Sequence, residues 1–264
     1  MVESNPPDVL NEASLKEALK HHPFRFYPRV TSTMDMGREW LATEPALPSG
    51  AVVIADEQVA GRGRLNRQWH TPAGQALAMS IILRPHLAPE HLQRITMAAG
   101  VAVAETLNPL LIPGVIKLKW PNDVHLAGRK VAGILTEALW LGDRLQAAIV
   151  GIGINVRVNF MGTPLADGAV SLEAFTQEAV SRAALAAEII GHLENWMDKI
   201  AEPVLLDTWR TWLSTIGQIV SIQTASGIIS GTAENVDAMG ALLVRDSHDS
   251  VQRILVGDVT SAQL

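Results

Sequence analysis

The chain of 264 residues is long enough for one large or two unequal domains, and its 48% hydrophobic and 18% charged residues exclude a disordered protein. The formal net charge of -6 gives no general attraction to nucleic acid, and the absence of cysteine excludes disulfides, thiolate catalysis and cysteine zinc sites. Because the N-terminus lacks the apolar core of a secretory signal and no run approaches ~18 apolar residues, we expect a cytoplasmic protein with no membrane or nucleic-acid partner.

The N-terminal segment starts with a predicted loose tail, residues 1–8, which contains two prolines. The spacing of Ser14 and Glu17 is that of a capping box and predicts a helix from there to about residue 20. Alternating bulky and polar side chains predict a strand at residues 24–30, and a further helix ends near residue 41. The hydroxyl cluster Thr31-Ser32-Thr33 precedes that helix and has the composition of a helix N-cap.

The stretch from residue 55 to residue 69, ADEQVAGRGRLNRQW, follows a predicted buried strand at residues 50–55. Arg62, Arg64 and Arg67 lie within six residues of this stretch and alternate with small residues. Glycine lets a backbone approach a ligand closely, and a guanidinium group matches a carboxylate or phosphate. The pattern is typical of a flexible basic loop that closes over an anion, although such clusters also occur on solvated surfaces.

The middle of the chain is predicted to mix strands and helices. Strands are predicted at residues 76–83, 115–119, 124–126, 130–139 and 146–154. Helices are predicted at residues 89–107, 171–199 and 203–213. The residues from Leu126 to Arg129 have the composition of a tight hairpin turn. Because the two kinds of element alternate unevenly, the order favours an α+β fold with a mixed sheet.

The composition shifts from residue 216 onwards to short β-rich runs separated by turn residues. The predicted strands are residues 219–224, 228–235, 241–245 and 251–256. Short strands at regular spacing indicate a small barrel.

Several common catalytic and nucleotide-binding motifs are missing from the sequence. There is no P-loop, no third glycine of a dinucleotide fingerprint, no zincin helix and no G-x-S-x-G elbow. If the chain binds ATP, it does so by another route.

Four motifs follow one another along the chain: GRGR at residues 61–64 with Trp69 after it, KWPND at 119–123, Arg129-Lys130 with Gly133, and GIGIN at 151–155. Together they resemble the biotin–protein ligases, enzymes that attach biotin to carboxylases. The resemblance covers most of the chain and implies a catalytic domain at residues 1–214, with a mixed β-sheet and flanking helices. It also implies an SH3-like barrel at residues 215–264, closed by Gly257-Asp258-Val259.

The resemblance implies a reaction in two steps. The biotin carboxylate attacks the α-phosphate of ATP and releases diphosphate, and the biotinoyl-adenylate then acylates a lysine of a biotin carboxyl carrier protein. The first step joins two anions and therefore requires fixed positive charge, in general with Mg²⁺. We expect Arg62, Arg64, Lys130 and Mg²⁺ to supply that charge, and residues 61–68 to order over the adenylate and exclude water.

The resemblance also assigns site residues. Catalytic roles fall to Lys130, Arg62 and Asp123, with Lys130 at the biotin carboxylate and Asp123 able to orient or deprotonate the incoming amine. The biotin side would comprise Ser32, Thr33, Gln58, Gly61, Arg62, Arg64, Lys130 and Gly133. The nucleotide side would comprise Arg64, Arg67, Trp69, Asn122, Asp123 and Asn155, with Asn155 next to a phosphate or the metal. No metal ligands are assigned, and Met34 stands where the family often has asparagine.

Three alternatives remain at this point. A lipoate–protein ligase shares the fold and the lysine, but the GRGR and KWPND motifs and the C-terminal barrel favour biotin. A repressor is not expected, because only about thirty residues precede the Thr31 cluster, fewer than a helix-turn-helix domain needs, so we expect the monofunctional type of ligase. A non-catalytic binding protein is disfavoured by the joint presence of Arg62 and Lys130. Trp120 fits a structural plug as well as a site residue, and a homodimer is possible.

Overall fold

The computed structural model describes residues 8–176, 178–224 and 227–261. Most of the predicted N-terminal tail, residues 1–7, lies outside the described residues. The helices are α1 (Glu12–Leu19), α2 (Thr33–Thr43), α3 (Gln93–Leu107), α4 (Arg182–Asp198) and α5 (Pro203–Trp212). The first eight strands are β1 (Phe24–Val30), β2 (Ala51–Arg62), β3 (Gln68–Thr71), β4 (Ala76–Leu83), β5 (Ile116–Lys119), β6 (Asp123–Leu126), β7 (Arg129–Leu141) and β8 (Arg144–Asn155). The last five are β9 (Ile219–Thr224), β10 (Gly227–Val236), β11 (Leu242–Arg245), β12 (Val251–Ile254) and β13 (Asp258–Ser261).

The first eight strands form one mixed sheet in the order β1-β2-β4-β8-β7-β6-β5, with β3 paired to β2. The strands β1 and β2 run parallel, while every other pair in this sheet is antiparallel. The predicted α+β fold with a mixed sheet and flanking helices is therefore confirmed. The predicted hairpin between β6 and β7 is also present, with Ala127 and Gly128 at positive φ.

The sheet is covered on both faces, so its central strands are apolar throughout. All eight residues of β4 are buried, because α2 packs on one face and α4 contacts the strand from the main core. The helix α3 packs into the same core, and its residues Ile95, Ala99, Val103 and Leu107 are fully buried. Within the described residues, no helix is long and apolar enough to cross a membrane.

Three helix starts differ from the predictions; in one of them α3 begins at Gln93 and not at residue 89, because a 3-10 turn, Pro89–His91, precedes it. The cap of α1 is Asn11, whose side chain accepts from the N–H of Ser14, while Ser14 bonds back to the Asn11 N–H. The capping box is thus present three residues earlier than predicted, because Asn11 is itself a strong N-cap residue. The predicted helix at residues 171–199 is wrong over its first third: only a 3-10 turn, Leu172–Ala174, precedes α4. Glu173 binds Arg157 at 2.7 Å and accepts from the Val180 N–H at 2.8 Å, which holds this segment in an irregular path.

The C-terminal strands form a second sheet in the order β12-β11-β10-β9-β13. The predicted β-rich character is confirmed, but the sequence prediction missed β13, which pairs with β9. This sheet is joined to the first domain at Trp120, whose indole N–H donates to the Gly240 carbonyl at 2.9 Å. Trp120 is 1% exposed, so it serves as the structural plug and not as a surface of the site.

Candidate active site

A cavity of about 410 Å³ opens beside the start of α2, between the hairpin of β2 and β3 and the strands β6, β7 and β8. Every site residue predicted from the sequence lines it, except Gly61. Gly61 lies directly beneath, where a Cβ atom would come within 3.0 Å of the Gln58 side-chain amide and collide with the Trp69 carbonyl. The structure thus brings together residues that are up to 123 positions apart, from Ser32 to Asn155.

The arginine-rich stretch forms a β-hairpin, and the loop that we predicted is confined to its tip. The strand β2 continues through Arg62, and β3 pairs back on it, with Gly61 opposite Trp69. Residues 63–67 alone lie outside the strands, and their tip contains a short 3-10 turn with Leu65 at a φ of 55°. The loop is shorter than predicted, because the extended strand continues through Gly61 and Arg62, where cross-strand pairing outweighs the flexibility of glycine.

Arg62 is held by two carboxylates at the edge of the cavity. Its guanidinium lies 3.0 Å from Asp35 on α2 and 3.0 Å from Glu137 on β7. Arg38 bonds to the same two carboxylates and completes a ring of four charged side chains. The positive charge of Arg62 is therefore already balanced within the protein, which the sequence did not indicate.

Arg64 and Arg67 extend from the hairpin tip towards two different partners. Arg64 donates to the Asn122 side-chain oxygen at 3.0 Å, and Asn122 donates in turn to the Ile134 carbonyl at 2.6 Å. Burial lowers the pKa of Arg64, although Asp123 and Asp258 act in the opposite direction. Arg67 forms an ion pair with Asp258 of the C-terminal sheet, and this hydrogen bond raises the pKa of Arg67.

Lys130 lies at the centre of the cavity wall. Its ammonium group is 2.7 Å from Asp123 Oδ1 and 5.5 Å from the centre of the Trp69 ring. The Lys130 backbone is bonded on both sides to the segment after β8, since its N–H donates to the Gly168 carbonyl and its carbonyl accepts from the Val170 N–H, both at 2.9 Å. This double bridge fixes the position from which the lysine side chain enters the cavity.

Asn155 supports the same backbone. Its side-chain NH₂ donates to the carbonyls of Lys130 and Val170, at 3.3 and 3.4 Å, and the residue is 3% exposed. Because both amide hydrogens are engaged, the side-chain oxygen is what Asn155 can offer a ligand, and this oxygen can only accept a hydrogen bond or bind a cation.

Glycines on two neighbouring strands make room for the Trp69 indole. A Cβ atom on Gly153 of β8 would collide with this indole, and one on Gly133 of β7 would lie 3.1 Å from it. Gly133 and Gly153 face each other across the β7–β8 ladder. Gly133 therefore leaves space for Trp69, whereas the sequence prediction placed the bicyclic ring of biotin there directly.

Hydroxyl and amide groups form the end of the cavity near α2. Ser32 is the N-cap residue of α2, as the composition of the cluster indicated, but its side chain makes no capping bond. The Ser32 oxygen is buried without a partner among the described residues, whereas both the N–H and the hydroxyl of Thr33 bond to Gln58 Oε1. Met34 packs against Gly151, where a side chain would collide with its sulfur.

Several contributors were not predicted from the sequence, among them Asp35, Glu137 and Ser80, and Gly153 appeared only as part of the GIGIN motif. Ser80 had one visible signal, since it is the single polar residue of the apolar strand ALAMSIIL. The two carboxylates had none, because their importance depends on ion pairs between residues far apart in the chain. Among the described residues, no group of three or more metal-ligating side chains is found.

Known protein families match two parts of the chain. The profile of the biotin/lipoate A/B protein ligase family matches residues 26–155, and the biotin protein ligase C-terminal domain matches residues 215–260. The chain is 33% identical over 263 residues to the bifunctional ligase/repressor BirA of Bacillus spizizenii, covering 96% of this chain and 79% of that protein. It is 32% identical over 223 residues to the biotin–[acetyl-CoA-carboxylase] ligase of Paracoccus denitrificans, covering 82% of this chain and 92% of that ligase.

This chain belongs to the biotin protein ligase family. The structural comparison agrees: the biotin protein ligase of Aquifex aeolicus in complex with biotin and ATP superimposes with a TM-score of 0.75 at 26% identity, covering 92% of this chain and 99% of that one. The predictions of the family, of a ligase activity and of the fold of a biotin protein ligase are therefore confirmed. Biotin protein ligases use ATP, so biotin and ATP are the ligands against which the cavity has to be judged.

Proposed function

We propose a role in binding or catalysis for each group of residues in the cavity of this ATP-dependent biotin protein ligase. The observation that carries the proposal is that Lys130 lines the same cavity as the hydroxyl cluster at α2 and the arginines of the hairpin tip, with its ammonium group 2.7 Å from Asp123. A cavity of about 410 Å³ has the size of a small-molecule site. A cation held in such a cavity suits a reaction that joins a carboxylate to a phosphate.

The hydroxyl end is proposed to bind the ureido ring of biotin. Ser32 offers a free hydroxyl, and Thr33 and Gln58 are oriented by their mutual hydrogen bonds. Gly61 lets the hairpin backbone lie close to this end, and the Trp69 indole, seated against Gly133, forms an apolar wall beside the ring system. An apolar wall with a few polar groups at one end is the usual composition of a site for a bicyclic ligand.

Lys130 is proposed to act in the first step. Its ammonium group holds the biotin carboxylate next to the α-phosphorus and stabilises the charge that develops there. A carboxylate oxygen forms the new bond to phosphorus, and diphosphate leaves with the electrons of the broken P–O bond. Arg62 is not free to neutralise a phosphate while Asp35 and Glu137 bind it. We therefore propose that Arg62 orients the hairpin at the biotin side and that Arg64 supplies the second positive charge.

The nucleotide is proposed to occupy the part of the cavity bounded by Asn122, Arg64, Arg67 and Asn155. The fixed acceptor oxygen of Asn155 is unsuited to a phosphate, because both are acceptors. It suits an amino group, such as that of an adenine base. Trp69 is positioned to contact both substrates, since it lies between the hydroxyl end and Lys130.

Asp123 is proposed to act in the second step. It borders the nucleotide side and is paired with Lys130 at 2.7 Å. When Lys130 binds the mixed anhydride, this carboxylate becomes available to orient the amine of the acceptor lysine and to accept its proton. The amine nitrogen then attacks the acyl carbon, and AMP leaves.

Mg²⁺ is proposed to enter with the triphosphate. Two carboxylates line the cavity, Asp123 and Asp258, and each is paired with a cation of the protein. Mg²⁺ is commonly bound by one or two carboxylates together with substrate phosphates, so this donor set fits a metal that the nucleotide carries. When bound, the ion would offset negative charge on the phosphates.

The acceptor is proposed to be a biotin carboxyl carrier protein in the cytoplasm, where ATP is available. We also propose that the boundary between the catalytic and the C-terminal domain lies at residue 215, which agrees with the start of the matched C-terminal domain.

A homodimer is supported by the exposed edge of β7. The strand β6 pairs with β7 only over residues 129–133, and further along β7 the residues Trp140 and Leu141 are 41% and 72% exposed. Sedimentation of the wild type and of Leu141→Lys tests it, with a monomeric wild type as the contradicting result.

The choice of biotin over lipoate can be tested directly. Lipoate has no ureido group, so it offers no matching donor and acceptor to the hydroxyls of Ser32 and Thr33. Purified protein is incubated with ATP, Mg²⁺, a carrier domain and either labelled biotin or labelled lipoate. Transfer of biotin in large excess over lipoate is expected, whereas equal or preferential transfer of lipoate would overturn the assignment.

A further inference from the structure

The hydroxyl end of the cavity contains a chain of four side chains in which every donor and acceptor can be assigned. The Thr33 backbone nitrogen lies 2.8 Å from one side-chain atom of Gln58. A backbone N–H can only donate, so this atom must be the oxygen of the amide. The amide nitrogen of Gln58 then faces Thr71 Oγ1 at 3.0 Å and donates to it.

The direction of the remaining bonds follows from this anchor. The Thr33 hydroxyl lies 3.1 Å from the same Gln58 oxygen, which carries no proton, so the Thr33 hydroxyl donates. Ser80 Oγ lies 2.8 Å from Thr33 Oγ1, whose only proton is already used. Ser80 must therefore be the donor, and one lone pair of the Thr33 oxygen remains for a ligand.

The neighbouring residue complements this lone pair. Ser32 is 1% exposed, lines the cavity, and its hydroxyl has no partner among the described residues, so it is free to donate. Two consecutive residues that line the cavity thus provide one donor and one acceptor. A urea group presents the reciprocal pattern, with a carbonyl acceptor flanked by N–H donors.

We propose that Ser80 is a positioning residue for biotin: its hydroxyl donates to Thr33 and, together with the bond from Thr33 to Gln58, holds the Thr33 oxygen in place as the acceptor for a ureido N–H. Ser80 is fully buried in β4 and is not among the residues that line the cavity, so it acts through Thr33 and not by contact. This inference rests on the proposed function for the placement of biotin at this end.

Removal of the Ser80 hydroxyl leaves the Thr33 oxygen with a second unsatisfied lone pair and takes away one of the two hydrogen bonds that hold this oxygen in place. The Thr33 proton stays on Gln58 Oε1, but the Thr33 oxygen is less firmly positioned towards a ureido N–H. We expect Ser80→Ala to weaken biotin binding roughly tenfold, which corresponds to one buried hydrogen bond. The KM for ATP is expected to stay the same, because the nucleotide lies at the other end of the cavity.

A double-mutant cycle separates action through Thr33 from a general packing effect. Biotin affinity is measured by calorimetry for the wild type, Ser80→Ala, Thr33→Val and the double variant, with desthiobiotin as a second ligand that keeps the urea. The expected result is a roughly tenfold loss from Ser80→Ala in the presence of Thr33 and less than a twofold further loss once Thr33 is valine. Equal losses in both backgrounds, or no loss in either, would overturn the proposal.

Matched variants secure the interpretation. Thr106→Val removes another buried hydroxyl, which bonds to the Ala102 carbonyl inside α3, and should leave biotin affinity unchanged. If Ser80→Ala does not fold, Ser80→Cys keeps the size with a much weaker donor and is judged by the same cycle. If the wild type does not transfer biotin, the proposed ligase reaction is contradicted. The double-mutant cycle of biotin affinity still tests the role of Ser80 in that case.

Discussion

At the scale of single residues, the charges in the cavity differ in how far they are already satisfied. Among the described residues, Arg62 is bound by two carboxylates, whereas Lys130 is bound by one, Asp123, and Arg64 donates to a neutral amide. A cation whose charge is already balanced within the protein stabilises a bound substrate anion less than a cation whose charge is free. The same three residues look equivalent in the sequence, because Glu137 is 75 positions from Arg62.

Lys130→Ala should therefore impair chemistry more than binding. We expect the rate of adenylation to fall by about 10²–10³, as is typical when an electrostatic donor to a transition state is removed. Biotin affinity should change much less, because the hydroxyl end is untouched. Diphosphate release measures the first quantity and calorimetry the second. An unchanged rate of diphosphate release would reject this role for the lysine.

His125 gives a prediction about pH. Burial lowers its pKa below the usual 6.5, an effect that Asp123 and the Gly128 carbonyl partly offset. Below pH 6.5 the unfolded chain binds a proton that the folded protein resists, so stability is full above this value and is lost as pH falls towards the folded pKa. Urea midpoints between pH 5 and 8 should fall less steeply at acid pH for His125→Asn than for the wild type. If the urea midpoints of the wild type and of His125→Asn changed equally with pH, the lowered pKa of His125 would be contradicted.

At the scale of elements, the sequence predicted most strands well because apolar runs and turn residues are local signals. It predicted the strands β1 and β4 at their observed bounds. It misjudged the hairpin of β2 and β3, because glycine and arginine resemble a loop until their pairing partners are known. The helix predicted from residue 171 failed for a similar reason: the ion pair of Glu173 with Arg157 is a long-range contact.

The close approach of Trp69 to Gly153 is the most sensitive element contact at the site. Gly153→Ala places a methyl group inside the space of the indole, and overpacking of this kind costs about 1–3 kcal/mol. We expect displacement of Trp69 and a loss of biotin affinity of roughly tenfold or more. Gly191→Ala is the control, since it lies exposed in α4 with open space around it and should stabilise the helix by up to about 1 kcal/mol. Equal biotin affinity in both variants would contradict the packing described.

At the scale of the whole molecule, the C-terminal sheet contributes to the cavity through Asp258, which lines it and binds Arg67. The sequence predicted a barrel but gave no role for it, because the contact joins residues 191 positions apart. The hydrogen bond from Trp120 to Gly240 also joins residues far apart in the chain, so the sequence did not predict it either. Local patterns predict the domain, while its relation to the site depends on side chains that meet only after folding.

Asp258→Asn should loosen the hairpin tip. The ion pair is largely exposed on the arginine side, so its contribution is expected to be about 0.2–1 kcal/mol and the effect only a few-fold. Trypsin should cleave after Arg64 or Arg67 a few times faster in the variant, measured with biotin and ATP present. Asp249→Asn removes a comparable surface pair with Arg245 far from the hairpin and should not change this rate. Identical cleavage in Asp258→Asn would show that the contact does not restrain the tip.

The central claim is that one cavity activates biotin with ATP and transfers it to a protein lysine by means of Lys130. Its most direct test is incubation of the purified protein with ATP, Mg²⁺, biotin and a biotin carboxyl carrier domain, followed by mass spectrometry of the carrier. We predict a mass increase of one biotinyl group with the wild type and little or none with Lys130→Ala. No increase with the wild type, or an equal increase with both proteins, would contradict the account.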